Sequence, residues 1–221
     1  AASSAKATAI HADNANLTIE NCEVSGTGSG TLVRAETTSA KIHPSETLTI
    51  SGSSFKNAAY GVYAAVEGNI KERSMTVNIS NSTFASNTQG LYCSVDNSGS
   101  KPVFNVNATG CTFEGNTKAG ISIANNKNNV NNFKVNVTDT QFLNNTGSAL
   151  KMGSFSDYAT VSITGGEISE NVVSYSSDSV IKVNGPFTMD GTTVSNNTGY
   201  HLMDLQSSPS VTIKNAVISQ N

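Results

Sequence analysis

One short pattern recurs along the whole chain at intervals of 24 to 31 residues, and it limits the folds that the chain can adopt. An apolar residue serves as the anchor of each repeat, and the other positions are counted from it. The anchors are Val24, Phe55, Phe84, Phe113, Phe142, Ile168, Val194 and Ile218. A fixed period of about 20–50 residues is typical of repeat architectures, in which each repeat forms one structural unit.

Two apolar columns precede the anchor in every repeat. Seven residues before it stand Leu17, Leu48, Val77, Val106, Val135, Val161, Phe187 and Val211. Five residues before it stand Ile19, Ile50, Ile79, Ala108, Val137, Ile163, Met189 and Ile213. The column between these two contains only Thr, Asn and Ser. An alternation with a period of two predicts a strand with one buried face in each repeat.

The position three residues before the anchor is always Gly, Asn or Asp. Its members are Asn21, Gly52, Asn81, Gly110, Asp139, Gly165, Gly191 and Asn215. These residue types adopt the left-handed αL conformation more readily than others do. One αL residue turns the chain sharply between two strands, so we predict a tight corner at this column.

The next column contains only small residues, and we expect it to point inward at the corner. Its members are Cys22, Ser53, Ser82, Cys111, Thr140, Gly166, Thr192 and Ala216. Cys22 and Cys111 lie three repeats apart, or roughly 14 Å if neighbouring strands are about 4.8 Å apart. A disulfide needs Cα atoms within about 7 Å, so we predict that these two cysteines are not bonded to each other.

Three residues after the anchor, six of the repeats have asparagine. These residues are Asn87, Asn116, Asn145, Asn171, Asn197 and Asn221, and the first two repeats have Thr27 and Ala58 instead. Stacked asparagines form ladders of side-chain amides, which satisfy polar groups that the strands leave unpaired. We therefore predict a structural asparagine ladder and not a ligand site.

A third strand follows in each repeat. Its apolar residues include Val62 and Ala64, Leu91 and Cys93, Ile121 and Ile123, Leu150 and Met152, Ile181 and Val183, and Met203 and Leu205. Three short strands per repeat predict an all-β, right-handed parallel β-helix, a three-sided β-solenoid of about eight coils of 24–31 residues. The right hand follows from the general preference of parallel crossovers. A two-sheet sandwich is the alternative, but it needs antiparallel hairpins and does not explain why like residues recur at one coil spacing.

The length of the coils varies after the third strand, and we expect the connections there to project as loops along one edge of the solenoid. The connections are 36–46, 67–74, 96–102, 125–132, 153–159 and 206–209. Binding residues on rigid scaffolds usually lie on such loops. The segment Lys71-Glu72-Arg73 is expected to be a solvated loop tip. We expect residues 1–221 to form one β-helix domain, a segment of a longer solenoid, with end-to-end stacking of like molecules as the alternative.

The charge balance excludes one class of partner. The chain has 13 Lys and Arg residues against 16 Asp and Glu residues, and its net charge is −3. Proteins that bind nucleic acid normally present a basic face, so no nucleic-acid partner is expected. The sequence has no run of about 18 apolar residues, so we do not expect this segment to insert into a membrane.

The sequence contains no motif for chemistry. A Gly-rich phosphate loop, a Cys-x-x-Cys pair and histidines at metal-ligand spacing are all missing, so we predict no catalytic, cofactor-binding or metal-binding residues. We also expect no pair of outward Asp or Glu residues on adjacent coils of the regular faces. One candidate polar surface ladder is formed by Lys151, Lys182 and Asp204 on the third strands of consecutive coils. It is either a surface charge pair or a site for an acidic sugar.

Short Phe-x-x-Asn segments carry a resemblance to known proteins. They are Thr83-Phe84-Ala85-Ser86-Asn87, Thr112-Phe113-Glu114-Gly115-Asn116 and Gln141-Phe142-Leu143-Asn144-Asn145. The chain resembles right-handed β-helix surface proteins, including polymorphic outer-membrane proteins and autotransporter passengers. The resemblance implies an extracellular or cell-surface location and a structural or adhesive role. The expected partner is a protein or glycan on a host or neighbouring cell.

The expected function is that of a non-catalytic structural or adhesive surface module, which binds partners through its edge loops or assembles with like molecules. A β-helix that binds or cleaves polysaccharides is the alternative. That alternative depends on the ladder of Lys151, Lys182 and Asp204 and on the analogy of the fold.

Overall fold

The computed structural model describes residues 7–38, 45–67, 73–96, 103–125, 133–153, 158–175 and 177–221. Within these residues the secondary structure consists of 24 strands, which form three parallel sheets of eight strands each. The three sheets are called sheets A, B and C below. Successive strands along the chain pass from sheet B to sheet C to sheet A, so that each coil contributes one strand to each sheet.

The strand bounds show how each sheet is built from every third strand. Sheet A contains β1 (Thr8–Asp13), β4 (Thr31–Thr37), β7 (Tyr60–Glu67), β10 (Gln89–Asp96), β13 (Ala119–Asn125), β16 (Ser148–Met152), β19 (Ser179–Asn184) and β22 (His201–Gln206). Sheet B contains β2 (Leu17–Glu20), β5 (Ser45–Ser51), β8 (Ser74–Ser80), β11 (Val103–Thr109), β14 (Phe133–Thr138), β17 (Thr160–Thr164), β20 (Phe187–Asp190) and β23 (Val211–Lys214). Sheet C contains β3 (Glu23–Ser25), β6 (Ser54–Lys56), β9 (Thr83–Ala85), β12 (Thr112–Glu114), β15 (Gln141–Leu143), β18 (Glu167–Ser169), β21 (Thr193–Ser195) and β24 (Val217–Ser219).

The register of the strands confirms the predicted repeat. All eight anchors are consecutive partners in sheet C, beginning with Val24 opposite Phe55 and ending with Val194 opposite Ile218. The two apolar columns before the anchor are consecutive partners in sheet B. The chain is therefore an all-β parallel β-solenoid, as the repeat predicts. Its right-handed sense stays a prediction.

The corner between sheets B and C depends on left-handed backbone. All eight members of the predicted Gly/Asn/Asp column have a positive φ, from 47° at Asp139 to 70° at Gly191.

A second column with positive φ lies two residues after the anchor, and the sequence did not predict it. Its members are Asn57, Ser86, Gly115, Asn144, Glu170, Asn196 and Gln220. Four of these residues are Asn or Gly, but Ser86, Glu170 and Gln220 are residue types that seldom adopt this conformation, so the signal from residue type is weaker in this column.

The core is a continuous apolar column inside the solenoid. Phe55, Phe84, Phe113 and Phe142 stack face to face, with ring centroids 4.8 to 5.3 Å apart. Phe104 and Phe133 form a second stack at 4.6 Å. All six rings are buried. Like side chains meet because neighbouring strands are parallel and in register.

Glycines of sheet A make room for the stacked rings. A Cβ atom added to Gly61 would lie 3.3 Å from Phe84, one added to Gly90 would lie 2.8 Å from Phe113, and one added to Gly120 would lie 2.7 Å from Phe142. The next strands have Ala149 and Val180 in this column, after Gly120. The anchors that follow them in sheet C are the smaller Ile168 and Val194. Side-chain size is therefore matched between the two sheets.

Three sequence-based expectations were wrong. The first is that coil length varies only after the third strand. A second site of variation lies before the third strand, where residues 172–178 are an insertion between the Asn171 turn and β19. The second is that Arg73 belongs to a solvated loop tip. Arg73 is only 2 % exposed and directly precedes β8, so it lies inside the corner that leads into sheet B. Lys71 and Glu72 lie outside the described residues.

The third error concerns the burial of Cys22, which was expected to be a small core residue. Cys22 is exposed, because it lies in the first coil, where β2 and β3 form the outermost described strands of sheets B and C. Its Sγ nevertheless donates to the Glu20 carbonyl, as the Sγ of the buried Cys111 does to the Thr109 carbonyl. The other cysteines are buried, and all three are free, which confirms that Cys22 and Cys111 are not bonded. Burial raises the pKa of the Cys93 thiol and that of the Cys111 thiol.

Candidate binding face

The predicted asparagine ladder fills the corner between sheets C and A. The backbone N–H of each ladder residue from Asn87 to Asn197 donates to the side-chain oxygen of the next, over 2.8 to 3.1 Å. Each side-chain amide also donates to the carbonyl of the anchor one coil back, as from Asn116 to Phe84 at 3.0 Å. The ladder residues from Asn87 to Asn197 are at most 3 % exposed. These buried amides have no access to a ligand, and their geometry is structural.

The outward face of sheet A carries three clustered tyrosines and several charged side chains. Its middle column, called the central column below, contributes one outward residue from each strand. The column contains His11, Arg34, Tyr63, Tyr92, Ser122, Lys151, Lys182 and Asp204, which are register partners in this order. The corresponding middle column of sheet B contains only Thr, Asn and Ser. Of these two middle columns, only that of sheet A carries aromatic and charged groups.

Three tyrosines form an aromatic cluster at the start of this face. The ring centroids of Tyr63 and Tyr92 are 5.1 Å apart, and Tyr60 lies 5.5 Å from Tyr63 and 5.4 Å from Tyr92. All three side chains are half-buried. This group is called the tyrosine cluster below.

Charged groups adjoin the tyrosine cluster and hold it in place. The Arg34 guanidinium lies 4.7 Å from the centroid of the Tyr63 ring, a cation–π distance. Arg34 also forms ion pairs with Glu36 at 2.6 Å and with Glu67 at 3.4 Å. His11 Nε2 lies 2.7 Å from the same Glu36 carboxylate. Glu36 is only 8 % exposed, and its burial is offset by these two basic partners.

The electrostatic environment changes the acidity of two of these groups. The hydrogen bond to Glu36 raises the pKa of Arg34 further above its ordinary value. Burial, followed by the negative charge of Glu67, raises the pKa of the Tyr63 hydroxyl. The Tyr63 hydroxyl is thus held in its neutral form, and it donates a hydrogen bond to Glu67 at 3.3 Å. The cluster is therefore aromatic at its centre and is bordered by the paired charges of Arg34, Glu36 and Glu67.

This face corrects the expectation that no outward acids lie on adjacent coils. Asp13 of β1 and Glu36 of β4 are register partners. Glu36 and Glu67 come from consecutive coils, and both form ion pairs with Arg34. The sequence carries a signal for the tyrosines, because the residue between the two apolar positions of the third strand is a tyrosine in two consecutive coils, Tyr63 and Tyr92.

A second feature of the same face is a cavity of about 280 Å³, called the lysine pocket below. It is lined by Thr117, Lys118, Thr146, Gly147, Lys151, Val173, Ser174, Tyr175 and Asp178. The insertion 172–178 forms one wall and is tied to the sheet at two points. Lys151 Nζ forms an ion pair with Asp178 at 3.0 Å, and Lys182 Nζ donates to the Ser177 carbonyl at 2.6 Å.

The candidate ladder of Lys151, Lys182 and Asp204 is brought together as a column. Lys151 is the register partner of Lys182, and Lys182 is that of Asp204. Lys151 is engaged with Asp178, and Asp204 accepts hydrogen bonds from Gln206 at 3.0 Å. The partner of Lys151 was missed because Asp178 lies on the insertion, whose course the repeat does not predict.

A larger cavity lies beside the last coil and is lined in part by Val180, Tyr200, Leu202 and Ile218. In the described part of the chain, no cluster of three or more His, Cys, Asp or Glu side chains is placed to hold a metal ion. No helix among the described residues has the length and apolarity that crossing a membrane requires.

The fold and the face define a class of protein, namely a parallel β-solenoid with one aromatic and charged sheet surface. Comparison with models of known families, with curated protein sequences and with solved structures finds no match. The binding face is therefore interpreted from its own geometry.

Proposed function

We propose that the chain is a non-catalytic structural and adhesive module of the cell surface, and that it binds a glycan of a neighbouring or host cell through sheet A. The contact surface comprises the tyrosine cluster and the central column. The edge loops between sheets A and B stay a predicted second contact, because they lie mostly outside the described residues.

The observation that carries this proposal is the tyrosine cluster. Three aromatic rings lie within 5.5 Å of one another on an outer surface, where they are not part of the apolar core. Tyrosine combines a flat apolar ring with a polar hydroxyl, which suits contacts with the apolar faces and hydroxyl groups of sugars. Aromatic side chains gathered on one surface patch are typical of binding sites.

The rigidity of the surface supports the same function. Each tyrosine is on a strand whose neighbours on both sides belong to the same eight-stranded sheet. Arg34 fixes the Tyr63 ring from one side, and Glu67 accepts a hydrogen bond from its hydroxyl. A surface with little freedom loses little conformational entropy when it binds a partner, so even a small contact area gives useful affinity.

The test is to measure binding of the intact chain to immobilised glycans and to cells, with Tyr63→Ala/Tyr92→Ala as the variant. We expect the double variant to lose about tenfold or more in affinity, because aromatic contact residues often contribute 2 kcal/mol or more. The matched control is Asn107→Ala on the outward face of sheet B, which should bind like the original chain. Circular dichroism would establish that each variant folds. Equal binding by the double variant and the control would contradict the proposal.

Polysaccharide cleavage is a second candidate, favoured by one observation. Glu36 and Glu67 both form ion pairs with Arg34, and His11 contacts Glu36. Pairs of carboxylates on a sugar-binding surface can supply an acid and a base. The release of reducing or unsaturated ends from neutral and uronate polysaccharides would detect this activity. Its loss in both Glu36→Gln and Lys182→Ala would establish an enzyme and overturn the non-catalytic role.

A further inference from the structure

We propose that the lysine pocket binds an acidic group, a carboxylate or a sulfate, of a polysaccharide that lies along sheet A. This inference rests on the proposed function, because it names the charge class of the glycan partner. The two sites are separate: the tyrosine cluster is on β7 and β10, whereas the pocket lies where β13, β16 and the insertion 172–178 meet.

The charges that line the pocket favour an anion. Lys118 and Lys151 face it, and Asp178 is the only acidic residue in the lining. Asp178 is already engaged by Lys151 at 3.0 Å. Lys118 is exposed, and its ammonium has no hydrogen-bond or ion-pair partner among the described residues. The pocket thus keeps one cation available in a chain whose net charge is −3.

An exposed aromatic ring stands at the rim of the same pocket. The Tyr175 side chain is 74 % exposed, the most exposed large apolar or aromatic side chain among the described residues. Described residues on both sides of it are hydrogen-bonded, because Val173 N–H donates to the Thr198 carbonyl at 2.7 Å and Asp178 N–H donates to the Tyr175 carbonyl at 3.0 Å. Tyr175 therefore offers a flat surface for a sugar ring, beside a cation for its acidic substituent.

The size and position of the pocket fit one unit of a chain-like ligand. A cavity of about 280 Å³ holds a single sugar and not a larger folded partner. Lys118 directly precedes β13, and Lys151 lies on the adjacent strand β16, where its register partner is Ser122. The rest of the central column continues on both sides of the pocket as Ser122 and Lys182. A linear polysaccharide can thus extend in both directions from the acidic unit.

The experiment measures the affinity of the intact chain for three polymers. Polygalacturonate carries only carboxylates, dextran sulfate carries only sulfates, and dextran is the neutral control. We expect binding to one or both acidic polymers, weakened by added salt, and weaker binding to dextran. The polymer that binds more tightly identifies the acidic group.

Three variants locate the binding. Lys118→Glu should lower the affinity for the acidic polymer about tenfold or more, because a charge-assisted contact is replaced by repulsion. Lys134→Glu makes the same change at an exposed lysine on the outward face of sheet B and should have little effect. Asp178→Asn should raise the affinity about threefold, because it removes the negative charge and keeps an oxygen that can accept from Lys151.

Each outcome decides the question. Equal losses in Lys118→Glu and Lys134→Glu would overturn the pocket, because they would indicate a general charge effect. Binding to dextran as tight as to the acidic polymers would overturn the acidic ligand. Failure of the intact chain to bind either acidic polymer would overturn the inference. The proposed function would still be decided by the glycan binding of the Tyr63→Ala/Tyr92→Ala variant. A chain that binds glycans in neither experiment would refute both.

Discussion

A single asparagine side chain of the ladder makes four hydrogen bonds. The Asn145 oxygen accepts from the backbone N–H and the side-chain amide of Asn116, at 2.8 and 3.0 Å. Its amide nitrogen donates to the Phe113 carbonyl at 3.0 Å and to the Asn171 side-chain oxygen at 2.7 Å. The side chain thus uses all the donors and acceptors that an amide provides, without any water. The corner between sheets C and A depends on these hydrogen bonds, because they satisfy the Asn116 N–H and the Phe113 carbonyl, which the strands leave unpaired.

Replacement of Asn145 by alanine should destabilise the fold strongly. The Asn116 N–H would lose its partner in a fully buried position, and so would the Phe113 carbonyl. Each such loss costs about 1–3 kcal/mol, so the free energy of unfolding should fall by about 2–6 kcal/mol. Urea denaturation followed by circular dichroism measures this change.

The matched control is Asn221→Ala, at the last rung of the ladder. The side chain of Asn221 is exposed and makes the same kind of contact, with Asn197 at 2.8 Å. Water can replace the partners of an exposed amide, so this loss should be at most about 1 kcal/mol. Similar losses for the two variants would indicate that the ladder is not a principal source of stability.

At the scale of the strands, sheets A and C are fitted to each other by side-chain size. The phenylalanine anchors of β9, β12 and β15 face Gly61, Gly90 and Gly120. Where the anchors become Ile168 and Val194, the facing column becomes Ala149 and Val180. Interiors are packed at crystal-like density, so a change on one sheet needs a compensating change on the other.

Gly120→Ala should destabilise the solenoid, because the new Cβ atom would lie 2.7 Å from the Phe142 ring. Overpacking of this kind costs about 1–3 kcal/mol. The second variant, Gly120→Ala/Phe142→Leu, removes the ring and should lose less stability than the sum of the two single changes. Thermal and urea unfolding of the four chains would measure the coupling. Strict additivity would mean that the glycine and the ring do not constrain each other.

At the scale of the whole molecule, stability is distributed coil by coil. Each strand pairs only with the equivalent strands of the coils before and after it, and all these pairs are parallel. Repeat proteins of this type behave as nearest-neighbour stacks, in which every internal coil contributes similar interface energy. Coils of equal length should therefore be interchangeable, as long as the columns stay in register.

Deletion of residues 104–132, one complete coil of 29 residues, should give a chain that still folds. The deletion joins Val103 to Phe133, which is the register partner of Phe104, so β14 takes the place of β11 beside β8. The same shift aligns Phe142 with Phe84. We expect the circular dichroism spectrum to keep the shape typical of β-structure. The m-value in urea should be lower than that of the original chain, because less surface is exposed on unfolding.

The control deletes residues 104–118, about half a coil. That change would remove the strands of sheets B and C from one coil and would place β13 out of register with β10. We expect it to fold poorly or to lose cooperativity, since a misplaced strand turns its apolar residues away from the core. If both deletions unfold the chain, the coils are not independent units.

Periodic side chains made most of the fold predictable. The anchors, the αL residues before them and the asparagine ladder all recur at one coil spacing, and parallel in-register stacking is the arrangement that brings like residues together. The binding face was only partly predictable. Lys151, Lys182 and Asp204 form a column as expected, but Asp178 and Tyr175 reach it on an insertion that follows no repeat.

The three-strand coil, its register and its corners follow from the amino-acid pattern alone, because short-range periodicity and αL residues set these features locally. Which outward residues meet depends on how the coils pack on one another. Arg34 contacts Tyr63, Glu36 and Glu67, and Tyr63 contacts Tyr92, because sheet A lays residues from different coils about 4.8 Å apart. The position of Arg73 inside a corner and the wall of the lysine pocket also arise from long-range packing, which no local pattern encodes.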